Sequence, residues 1–112
     1  MAERDYRAAL ILAGADEPEK DAAGFHLQQS VEKALKACLD AKGIDFPRTH
    51  DLSVLLGLLE DRDQEVKPYW PLLELNPFAV QFRYELPCED FPDFDELAVP
   101  ARELLSYVQS VV

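Results

Sequence analysis

Apolar residues recur along this chain with a helical period, and the polar residues between them gather into faces. Tyr6 to Ala13 (YRAALILA) predicts a first helix, ended by Gly14. Asp16 is a suitable N-cap, and Pro18 fits the first turn of a second helix. That helix should reach about Lys42, with Gly43 as its stop. On its wheel Leu27, Val31, Ala34, Leu35, Cys38 and Ala41 share one face, opposite His26, Gln29, Lys33, Lys36 and Asp40.

After a connector at Ile44 to Thr49, in which Pro47 disfavours helix at Phe46, Thr49 is expected to cap a third helix running from Asp51 to about Glu60. EVKPYWPLLEL then forms a compact helical piece containing Pro68 and Pro71. Asn76 and Pro77 resemble an N-cap and first-turn proline for a short helix, FAVQF, ending near Arg83 and Tyr84. Asp93 and Glu96 have capping-box spacing for a last helix to about Val111. Pro100 inside it predicts a kink or a later start. With no convincing strand, the pattern predicts an all-α, up-and-down bundle of about five helices, one domain over residues 1–112.

The chain's 112 residues, 48% hydrophobic, suffice for one ordered core. No apolar run approaches bilayer length, and the charged start Met1 to Asp5 lacks the apolar region of a signal peptide, so a cytoplasmic location without membrane association is expected. Cys38 and Cys88 read as reduced thiols. Neither they nor the two histidines show metal-ligand spacing, so no metal or cofactor is expected.

The formal net charge of −11 removes any global attraction to polyanions, so a nucleotide or RNA site must be a local basic patch. Acid concentrates in residues 85–103, whereas residues 26–50 carry Lys33, Lys36, Lys42, Arg48 and both histidines. Within that minority His26, Gln29, Lys33 and Lys36 line one helix sector. Lysine supplies charge for phosphate, and Gln or His can hydrogen-bond a base or sugar. Lys33 and Lys36 are three apart and can bring two ammonium groups to one phosphate. A solvated face and a polar dimer contact are the other readings of this stripe. His and Gln are less expected than Lys or Glu on a purely solvating face.

Thr49, His50 and Asp51 open a helix whose free N–H groups suit an anion, but Asp51 would repel phosphate. Thr49 therefore reads as a cap, and His50 with Asp51 as a hydrogen-bonded brace between helices. Arg83 either pairs with an acid such as Glu32 or Asp51, or points into the cleft of Lys33.

Three ordered pieces carry a family resemblance: FHLQQSVEKALKA at Phe25 to Ala37, PRTHDL at Pro47 to Leu52, and NPFA leading into Phe82, Arg83 and Tyr84. Together they resemble the HEPN family over residues 4–110. The resemblance implies a homodimeric helical module that binds nucleotide or RNA. It further implies a minimal nucleotidyltransferase as partner, in a prokaryotic toxin–antitoxin or related nucleotide-handling system. The alternative it implies is a metal-independent ribonuclease toxin acting as a dimer. Ribonuclease members carry an arginine and a histidine with four to six residues between them, one to stabilise charge on phosphorus and one to move protons. Here Asp21, Lys20 and Glu19 occupy the matching positions before His26, and Asp45, Ile44 and Gly43 those before His50. No arginine fits, so a non-catalytic binding module is the expected class, with no catalytic residue assigned. Its expected contact set is His26, Gln29, Lys33, Lys36 and Arg83, with Glu32, Thr49, His50, Asp51 and Tyr84 in supporting roles.

Overall fold

The computed structural model describes residues 2–14, 20–61, 64–79 and 94–111. They form α1 (Ala2–Ala13), α2 (Lys20–Ala41), α3 (Leu52–Glu60), a 3-10 helix (Gln64–Ala79) and α4 (Phe94–Val111), and no strand occurs among them. The all-α bundle expected from the periodicity is what is seen. α1 starts earlier than the apolar run suggested, because Ala2 to Asp5 continue the helix.

α2 is the central element and packs against all the others. Leu27, Val31, Leu35, Cys38 and Leu39 are fully buried along it, with Ala34 nearly so. Each such leucine or valine contributes about 1.5–3 kcal/mol by leaving water. Ala41, assigned above to the same face, is exposed. It lies in the last turn of α2. The core draws Ala9 from α1, Leu55, Leu56 and Leu59 from α3, Tyr69, Leu72 and Leu75 from the 3-10 helix, and Leu97, Ala101, Leu104 and Leu105 from α4.

The stop at Gly43 works as a Schellman turn. Ile44 N–H donates to the Leu39 carbonyl (2.9 Å) and Gly43 N–H to that of Asp40 (3.0 Å), with Gly43 at φ +71°. Ile44 folds back, partly buried, onto the core. The predicted start of α2 at Asp16 and Pro18 lies outside the described residues.

Two boundaries differ from the sequence reading. The N-cap of α3 is Asp51, not Thr49: the Asp51 carboxylate accepts from Ser53 N–H (2.9 Å), and Thr49 Oγ1 accepts from Asp51 N–H (3.0 Å). Asn76 likewise opens no new helix, since the 3-10 helix runs through it and Pro77 to Ala79. Its side chain instead caps α3 from a distance. Leu52 N–H donates to Asn76 Oδ1 (2.9 Å), and Asn76 Nδ2 donates to Asp51 Oδ1 (3.0 Å). The remainder of the predicted FAVQF helix falls beyond the described residues.

The 3-10 helix is long for its type, and its side chains show why it holds. Tyr69, Leu72 and Leu75 are buried, Trp70, Leu73 and Asn76 half-buried, and Pro68, Pro71 and Glu74 exposed. That three-residue repeat matches three residues per turn, and it keeps both prolines on the solvent row. Tyr69 packs in the core and Trp70 against it.

α4 is helical from Phe94 onward, so Pro100 does not delay its start. The carbonyl that Pro100 cannot meet belongs to Glu96, an exposed residue. α4 is tied to α1 by a polar seam. Glu3 accepts from Arg102 (3.3 Å) and from Gln109, the Arg102 guanidinium lies 5.8 Å over the Tyr6 ring, and Tyr6 donates to the Ala98 carbonyl (3.3 Å).

A Cβ added at Gly43 meets no atom within 4 Å, so substitution there is opposed only by the left-handed backbone. Gly43→Ala is expected to lower stability by about 1 kcal/mol, read from urea melts, with the slope unchanged.

Candidate functional site

Gln28, Glu32 and Lys36 stand four apart on α2, so their side chains stack on one flank of the helix. The middle one is a buried carboxylate, Glu32, only 4% exposed. Gln28 Nε2 donates to its Oε1 (3.0 Å) and Lys36 Nζ to its Oε2 (3.0 Å). His50 Nδ1, from the connector before α3, meets both oxygens at 3.0 and 3.1 Å. Gln28 also donates to the His50 carbonyl (3.3 Å) and accepts from Gln29 Nε2 (2.8 Å). One chain of contacts thus joins Gln29, Gln28, Glu32, Lys36 and His50.

A second cluster lies along the same helix, against α1. Asp5 holds His26 Nδ1 on Oδ1 (3.2 Å) and Lys33 Nζ on Oδ2 (2.6 Å). Phe25 packs its ring against His26 edge-on, with centroids 5.4 Å apart. The four stripe residues share one face as the period predicted, but they are not a row of unopposed charge. Lys33 turns to Asp5 and Lys36 to Glu32, so the two ammonium groups do not converge on a single point. An anion must compete with, or add to, two carboxylate contacts.

Lys33 also borders an open groove of about 190 Å³ between α1, α2 and α4, floored by Ala34, Ala37, Leu105 and Val108. Its apolar floor, with Glu3 on the rim, does not suit phosphate.

Burial pushes the Glu32 carboxyl up. The hydrogen bonds from Gln28, Lys36 and His50, together with the Lys36 charge, outweigh that and hold it below its ordinary value of 4.5. Asp51 is held below its ordinary 3.8 by the Ser53 hydroxyl and N–H and by Asn76. Both acids therefore stay ionised at neutral pH.

His50 was read from the sequence as a brace, and it does join the connector to α2 through Glu32. Its side chain nevertheless remains 69% exposed. Arg83, Tyr84 and Cys88 lie outside the described residues. Sequence reasoning missed Gln28 and Asp5. The four-residue spacing of Gln28, Glu32 and Lys36 carried a signal for the first; nothing local pointed to Asp5. Among the described residues no group of three or more His, Cys, Asp or Glu side chains is placed to hold a metal ion, and no helix is long and apolar enough to cross a membrane.

A small helical bundle whose polar chemistry is concentrated on its central helix is the class these features define. The family model for the HEPN domain matches residues 1–111, and the chain belongs to that family. Membership supports a nucleotide- or RNA-related module in general terms. No curated protein and no solved structure gave a significant match.

Because the folded-state value of Glu32 is lowered, its contribution to stability is complete above the ordinary value of 4.5 and is lost as pH falls through the lower folded value. Glu32→Ala, which strands Lys36 and Gln28, is expected to cost about 3 kcal/mol at neutral pH. Glu32→Gln should flatten the acid limb of the melting-temperature profile below about pH 5. Thermal melts across that range provide the measurement.

Proposed function

We propose that this chain is a nucleotide- or RNA-binding HEPN module that works as a homodimer and docks a minimal nucleotidyltransferase in a toxin–antitoxin-like system. The observation that carries the binding reading is the alignment of His26, Gln29, Lys33 and Lys36 along one face of α2. Their side chains remain partly exposed, at 34%, 39% and 27% for His26, Lys33 and Lys36. Phosphate is the shared chemistry of both ligands, and two lysines with two hydrogen-bonding side chains suit it. Arg83 is assigned to the same set on its place in the sequence alone. Homodimerisation is supported by family membership and by adjacent apolar side chains left exposed on α1, Ile11 at 72% and Leu10 at 42%. The net charge of −11 suits a basic partner surface.

The binding test uses a fluorescent ATP analogue and a labelled single-stranded RNA, read by anisotropy at low and physiological salt. Lys33→Gln combined with Gln29→Ala is expected to weaken binding about tenfold or more and to make its salt dependence shallower. This pair is preferred to Lys33→Ala/Lys36→Ala because Lys36 neutralises the buried Glu32 and its loss would also cost stability. Unchanged affinity in the folded variant would return the stripe to a solvated face. Light scattering showing a strict monomer at micromolar concentration would remove the homodimer.

The runner-up, a metal-independent ribonuclease acting as a dimer, draws support from one feature. Both histidines present Nδ1 to a carboxylate, an arrangement that orients an imidazole for proton transfer. Against it stands the absence of an arginine at the family's offset from either histidine. Incubation of the purified chain with labelled RNA is expected to yield no products. Cleavage abolished by His26→Ala or His50→Ala would replace the binding module with the enzyme.

A further inference from the structure

We infer that His50 is a ligand-facing member of the phosphate site, paired with Lys36, and that Glu32 is the residue that positions both. The inference rests on the binding reading and specifies its phosphate contact. The sequence placed His50 in a merely bracing role, and its geometry supports more.

His50 Nδ1 and Lys36 Nζ contact the same carboxylate oxygen, Oε2 of Glu32, at 3.1 and 3.0 Å. Two groups that can both be cationic are thereby held side by side. In the other cluster His26 and Lys33 sit on different oxygens of Asp5. Glu32 also accepts from Gln28, so three donor groups crowd one carboxylate. Lysine has three N–H groups, which leaves Lys36 donors beyond the one turned to Glu32. An ionised carboxylate only accepts, so His50 must donate from Nδ1, and its Nε2 is the nitrogen left for a ligand. The ring is 69% exposed, whereas the Glu32 side chain that orients it is 5% exposed. A rigid, buried anchor thus carries an accessible imidazole beside an ammonium group.

The charge balance follows from the residues around the ring. On α2 it faces Glu32 and Lys36; in its own connector Arg48 and Asp51 flank it, and Asp51 is engaged by Ser53 and Asn76. With the imidazole neutral, Lys36 and Glu32 cancel. Protonation adds one positive charge and turns Nε2 from acceptor to donor, which is the form a phosphate oxygen needs.

The experiment measures binding of three probes, inorganic pyrophosphate, ATP and a short single-stranded RNA, at low and physiological salt. Wild-type protein is expected to bind the phosphate-bearing probes. His50→Gln should bind about tenfold more weakly. His50→Lys should restore tight binding, with a steeper salt dependence than His50→Gln, because it supplies a permanent cation. Arg7→Gln removes equal charge from an exposed position on α1 and is expected to leave affinity within about twofold of wild type. Pyrophosphate binding alone would identify a phosphate subsite. ATP or RNA binding more tightly than pyrophosphate would show which source also uses the rest of the stripe. His50 variants that bind as wild type would overturn the role of His50 and leave the binding module standing. Failure of the wild-type protein to bind any probe would overturn both.

Discussion

A carboxylate buried in a small helical bundle is the constraint on which this structure turns. Glu32 has almost no access to water, and an ionised group in that position must be surrounded by donors. Two of the three come from its own helix at four-residue spacing, which the backbone supplies at little entropic cost. The third, His50, comes from a connector that must be steered into place. The left-handed turn at Gly43 sends the chain back along α2, and Gln28 holds the carbonyl of His50. Asp51, the next residue, then starts α3. One electrostatic requirement on the central helix thereby determines where the following helix begins.

Two of the three side chains that satisfy Glu32, Lys36 and His50, also reach solvent, whereas Gln28 is fully buried. Stability and the polar chemistry of this face are therefore not separable here in the way they are where polar side chains sit on a loop above a finished core. The Asp5 cluster shows the same economy at the contact between α1 and α2, where His26 and Lys33 both close the helix pair and border the polar face.

Much of the fold was legible because it depends on local period. The apolar face of α2, the stop at Gly43 and the last helix follow from spacing and backbone preference alone. The misses lie where a residue's partner is distant. Asp5 is 21 positions from His26, and Asn76 is 24 from the amide it caps, so neither contact leaves a trace in its own neighbourhood. Asn76 followed by proline reads locally as a helix start, and only tertiary docking reassigns its side chain. The 3-10 helix is an intermediate case. Its helicity was readable, but Pro68 and Pro71 set a repeat of three that an α-helical wheel scrambles. For the site, the wheel correctly grouped His26, Gln29, Lys33 and Lys36 on a face, yet it contained nothing about the acids opposite them. Charge read from one helix overstates the field that survives packing.

The distant cap on α3 has a consequence for how the molecule opens. α3 has nine residues, shorter than helices that persist alone in water. One of its first amides is held by Asn76, and its apolar face lies against the 3-10 helix that carries that side chain. The two segments support each other at this joint, and each also packs against α2, so opening of one is coupled to the other. Local fraying at the start of α3 therefore releases the end of the 3-10 helix as well. Amide exchange at Leu52 therefore reports on the contact between the two segments rather than on one helix end alone.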